Sequence, residues 1–172
     1  MTTQQIILWS CAYMVELGVV IYFTRATTRR VVAALIGGAA AALLGLGAIA
    51  LCERLGWWRV PFASTVYFLP LFYLGLSISL TPIYPVTWRL TRRFGWRGLA
   101  VPLCVVAVIG PPRDYFIAAT FPKWMVFAPG VAPILADAAT YVGMVALGHA
   151  VMRLIAGPAS KDQLARQRIE AA

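Results

Sequence analysis

The chain has 172 residues, 61% hydrophobic and 12% charged, with a formal net charge of +9 from 15 basic and 6 acidic residues. Soluble domains average about 45–50% apolar and about 25% charged, so the composition points to a membrane protein of one domain, with no room for a separate soluble catalytic unit. The basic residues stand between apolar segments, which makes them topology signals and leaves no expectation of nucleic-acid binding.

A spanning helix needs about 20 predominantly apolar residues. The first candidate covers about 6–24 and is interrupted only by Glu16. No Lys or Arg precedes it, whereas Arg25, Arg29 and Arg30 follow, so it reads as a helix inserted with its N-terminus outside and not as a cleavable signal peptide. The second, 31–52, and the third, 60–81, carry no charge. The fourth, 98–121, meets Pro111-Pro112-Arg113-Asp114 partway along. The fifth, 125–156, carries Asp137 and, near its end, His149 and Arg153. The expected fold is all-α: a polytopic transmembrane bundle of five helices forming one domain over 1–156, with a short polar cytoplasmic tail over 157–172.

Charge bias sets the orientation. With the N-terminus outside, the inner segments 25–30, 83–97 and 153–172 hold eleven Arg and Lys residues, against Arg54, Arg59, Arg113 and Lys123 outside. That asymmetry places the C-terminus in the cytoplasm, and the expected location is a bacterial cytoplasmic (inner) membrane. Trp57, Trp58 and Trp124 fall at the expected outer interface, and Trp88 and Trp96 at the inner one, where amphipathic rings belong.

In the second span Gly37, Ala41 and Gly45 recur at spacing four, with Gly38 and Ala42 one position on. Small residues so spaced allow close helix approach, within the bundle, in a homo-oligomer or against a partner membrane subunit. The segment 110–133 holds Pro111, Pro112, Pro122, Pro129, Pro133 and Gly130, and predicts a broken helix end, an outer cap or a re-entrant turn.

Ionisable groups inside a span are costly and are expected to face the bundle interior with partners. At 1.5 Å per residue Glu16 and Asp137 each lie about 16 Å from the outer face, near the midplane, and Arg113 and Asp114 lie in the outer third. Pro70, at similar depth, would free the carbonyl of Val66. Asp137, Thr140, Tyr141, Met144 and Gly148 share one helix face, as do Trp9, Tyr13 and Glu16. Arg113 and Asp114 are adjacent, so they are expected to seek different partners, Arg113 pairing with Glu16 or Asp137.

Other chemistries lack their residues. Cys11, Cys52 and Cys104 are scattered and form no C-x-x-C, which argues against disulfides and structural zinc. With His149 the only histidine, bis-histidine haem ligation within one chain is impossible, and His149 reads as an interfacial group near a helix end. A serine–histidine dyad would need Ser77 or Ser79 beside it. No strands and no glycine-rich phosphate loop are evident; no cofactor or metal is expected.

The residues thus predict a membrane-embedded enzyme or binding protein for an apolar, lipid- or isoprenoid-like small molecule, in contact with membrane lipid. Glu16, Asp137 and Asp114 are the candidate acid–base groups; Arg113, Tyr13, Tyr141 and Trp9 are the candidate substrate contacts. The competing readings are a small transport component and a non-catalytic assembly subunit of a larger membrane complex.

Overall fold

The computed structural model of the protein describes residues 3–61, 68–123 and 125–157, with backbone alone at 3–10 and 68. The tail beyond 157 and Trp124 therefore lie outside the described residues. The elements run α1 (Thr3–Thr24), α2 (Thr28–Arg54), β1 (Trp58–Arg59), α3 (Phe68–Leu80), α4 (Ile83–Phe94), α5 (Trp96–Thr120), β2 (Val126–Phe127) and α6 (Val131–Ala156). The chain is mostly helical, and among the described residues four stretches are long and apolar enough to cross a membrane: Thr28–Arg54, Leu69–Phe94, Trp96–Thr120 and Val131–Ala156. Apolar side chains such as Leu43, Val108, Phe116 and Leu154 point outward. An apolar exterior of this extent marks a surface meant for lipid.

The small residues of α2 explain its central place. Gly37, Gly38, Ala41, Ala42 and Gly45 are all buried, and α2 packs chiefly on α6 and α3. A Cβ on Gly37 would stand 2.6 Å from the Gly148 carbonyl oxygen, and one on Gly38 2.5 Å from that of Ser77. Backbones this close gain van der Waals contact that lipid cannot replace. The face is thus covered by helices of the same chain.

Four departures from the sequence reading have physical causes. First, part of the expected inner segment 83–97 is the amphipathic helix α4, which buries Tyr84, Pro85, Thr87 and Trp88. Pro82 and Pro85 lack the amides that would continue α3, so Thr81 N–H turns back to Ile78 O (3.2 Å) and Tyr84 N–H to Thr81 O (3.2 Å). Second, α5 does not break at Pro111-Pro112 but continues to Thr120, packed along α6 with Gly110 and Pro111 buried. The irregular stretch shrinks to 121–130. Third, α6 starts at Val131, not 125, with Pro133 in its first turn, where no helical amide is needed. Fourth, Trp58–Arg59 and Val126–Phe127 form a short antiparallel pair where no strand is expected. Val60, expected to open the third helix, instead lies outside helical structure, its N–H directed to Glu53 Oε1 at 3.4 Å. Val66 lies outside the described residues, which leaves the Pro70 carbonyl argument there too.

Two of the tryptophans expected at the interfaces are buried within the protein. Trp58 is buried edge-on against Phe127, with ring centroids 5.7 Å apart. Trp88 is buried in the core beneath the Arg30 guanidinium, 5.7 Å from its ring centroid. Trp96 is 76% exposed.

Candidate functional site

The end of the bundle where α2 stops and α6 starts gathers Arg113, Asp114, Asp137 and Tyr141. Gly110 on α5 has no Cβ, and one there would overlap the Tyr141 ring of α6. That close approach lays the Tyr141 phenol beside the next turn of α5. Its hydroxyl accepts a hydrogen bond from Arg113 Nη2 (2.5 Å) and donates one to Asp114 Oδ2 (2.7 Å). Arg113 Nε in turn donates to Asp114 Oδ1 at 2.9 Å. Guanidinium, carboxylate and phenol close a ring of hydrogen bonds, with the Arg113 Cζ 5.4 Å from the Tyr141 ring centroid. Arg113 and Asp114 therefore share one partner rather than facing two. The long guanidinium arm folds back onto its neighbour, which backbone spacing alone does not reveal. The Arg113 side chain is 57% exposed and that of Asp114 17%, so the network opens outward through its cation.

Asp137 lies one helical turn before Tyr141 and is 5% exposed. Its Oδ2 is buried with no hydrogen-bond partner among the described residues. Its electrostatic neighbours are Asp114 and Arg113. The Tyr115 and Cys52 side chains also lie within its field. Tyr115 stacks on Phe127 (centroids 4.2 Å, planes 16° apart), and its hydroxyl is likewise buried and unpartnered among the described residues. A buried carboxyl oxygen with no donor costs several kcal/mol in an apolar surround unless a proton, water or ligand occupies it.

Of the expected site residues, Arg113, Asp114, Tyr141 and Asp137 come together. Tyr13, half-buried on α1, lies within electrostatic reach of Arg113, Asp114 and Glu16. Glu16 does not join them: it is exposed on α1 instead of facing the bundle interior as expected. The backbone of Trp9 is in α1, but its side chain lies outside the described residues. The shared face of α6 is confirmed by burial of Asp137, Met144 and Gly148, while Thr140 bonds back to Ala136 O at 2.8 Å. Tyr115 and Cys52 were not legible as site residues, because they come near Asp137 only through the packing of α5 and α2 on α6, which is long-range.

His149 is buried, not interfacial, and its Nδ1 lies 2.8 Å from Thr87 Oγ1. The described partner of His149 is thus a threonine and not the serine a dyad would need, and Ser79 Oγ bonds to Leu76 O. Cys11, Cys52 and Cys104 are free thiols. No known family model, curated protein or solved structure matches this chain.

Proposed function

We propose that the protein is a membrane-embedded acid–base catalyst for an apolar, lipid- or isoprenoid-like substrate, with Asp137 as the proton-transferring group. One observation carries the reading: the Asp137 carboxyl is buried within the apolar bundle with an oxygen that no described residue satisfies. Such a group is stable with a proton on it, and a carboxylic acid there can protonate a substrate double bond. Return of a proton from a neighbouring carbon to the same oxygen would shift the double bond with no net oxidation. Arg113, exposed and braced by Asp114 and Tyr141, would hold the polar end of the substrate. Glu16 is left out of this chemistry because it is exposed.

The accompanying topology has α1 as a fifth span, the N-terminus outside and the C-terminus in the cytoplasm of a bacterial inner membrane. The charge asymmetry of the sequence supports it.

The test is deuterium incorporation. Purified full-length protein is incubated in D2O with liposomes containing polyprenyl lipids, and the lipids are analysed by mass spectrometry. Wild-type protein should introduce carbon-bound deuterium, and Asp137→Asn should slow this about 100-fold or more, the range expected for loss of a general acid. No incorporation by the wild type, or equal rates in the folded variant, would sink the reading.

A further inference from the structure

We propose that a basic cavity at the other end of the bundle binds the phosphate-bearing headgroup of an anionic membrane lipid, with an adjoining groove taking its acyl chain.

The cavity encloses about 1190 Å³ between the end of α1, the start of α2 and α4. Arg25, Arg30, Arg89, Arg92 and Arg93 line it, and among the described residues no carboxylate does. Five guanidinium groups around one space repel one another and draw in an anion. The arrangement is built rather than incidental. Arg30 is 7% exposed and lies over the buried Trp88 ring. Arg89 donates to the Phe23 carbonyl, which ties α4 to the last turn of α1. The Trp88 indole N–H is buried and has no partner among the described residues.

The space exceeds the roughly 300–1,000 Å³ typical of small-molecule sites, so it has room for more than one phosphate group. A second groove of about 330 Å³ adjoins it, sharing Phe23, Thr24, Arg89 and Arg93 and adding the apolar Val86, Leu90 and Phe94. A charged chamber continuous with an apolar groove matches an amphiphile, whereas a free phosphate would leave the groove unused. Position agrees: at 1.5 Å per residue about 36 Å of α2 separates Arg30 from Arg54 at the helix's other end, comparable to the hydrocarbon thickness of about 30 Å. The cavity therefore sits at headgroup level of the opposite face, where basic pockets between helices recognise multiply charged lipids.

Lipid binding can be read without turnover, so it fails or stands apart from the Asp137 reading. Full-length protein in neutral detergent is titrated with cardiolipin, phosphatidylcholine of matched chains, and inorganic pyrophosphate, and adducts are counted by native mass spectrometry. Cardiolipin should bind and phosphatidylcholine should not. The double variant Arg25→Gln/Arg93→Gln changes exposed residues only and should keep its fold by circular dichroism. It should bind cardiolipin roughly 25-fold more weakly, at about fivefold per arginine, while Arg97→Gln outside the cavity should bind as wild type. Absence of cardiolipin adducts, equal binding of phosphatidylcholine, or an equal loss in Arg97→Gln overturns the proposal. Pyrophosphate binding as tightly as cardiolipin and displacing it would assign the site to soluble phosphates and overturn the lipid assignment.

Discussion

Thr87 has a single hydroxyl proton, and the geometry directs it to the Tyr84 carbonyl at 2.9 Å. With that proton engaged, its oxygen accepts from His149 Nδ1, 2.8 Å away, in the tautomer that carries the ring proton there. Both residues are buried, so neither has water to fall back on. Thr87→Val keeps the shape and removes the acceptor. The orphaned N–H should cost about 1–3 kcal/mol, whereas Thr87→Ser should cost less because the oxygen remains. Thermal unfolding of the purified variants in detergent checks this; equal melting of Val and Ser variants would show that the contact contributes nothing. At this scale the sequence was informative in part. The spacing of Asp137 and Tyr141 placed them on one face, as found. The burial of His149 was not legible, because it depends on α4, whose Thr87 is 62 positions away in sequence.

Close approach between helices rests on the absence of particular Cβ atoms, and this separates one glycine from another. On Gly148 of α6 a Cβ would overlap the Tyr84 ring, so α4 and α6 touch there only because nothing intervenes. A Cβ on Gly47 of α2 would meet nothing within 4 Å. Gly148→Ala should therefore destabilise by about 1–3 kcal/mol through overpacking, and it should also break the Tyr84 hydroxyl bond to Met144 O (3.2 Å). Gly47→Ala should be neutral or stabilise by about 0.5–1 kcal/mol, as an exchange into a better helix former. Unfolding titrations with a denaturing detergent would rank the two, and similar midpoints would contradict the packing account. The small-residue stripe was legible because small side chains are a local, countable signal. The fate of α5 at Pro111-Pro112 was not: proline withdraws amides locally, but the helix continues through it, packed on α6 by the close approach of Gly110 to Tyr141. Likewise α4 was hidden by its arginines, which mark one face of an amphipathic helix and look like a loop when counted along the sequence.

For the whole molecule, the small β pair is the firmest guide to which segments lie at the same end. It joins Trp58 to Phe127 and Arg59 to Val126, so the chain just after α2 and the chain just before α6 meet. The 27 residues of α2 span about 40 Å at 1.5 Å per residue, so Arg25, just before its start, lies at the far end. Lys123, three residues before Val126, belongs to the near end. A protein that crosses the membrane through α2 must expose these two positions on opposite sides, whatever the status of α1. In a background with Cys11, Cys52 and Cys104 replaced by alanine, Arg25→Cys and Lys123→Cys can be probed in intact cells and in inverted vesicles with a membrane-impermeant thiol reagent. The proposed orientation predicts that Lys123→Cys labels from outside and Arg25→Cys only from the cytoplasmic face, in line with the excess of Arg and Lys assigned there. The reverse pattern would keep the fold and invert the orientation, moving the basic cavity to the outer leaflet. Labelling of both from one side would mean that α2 does not cross.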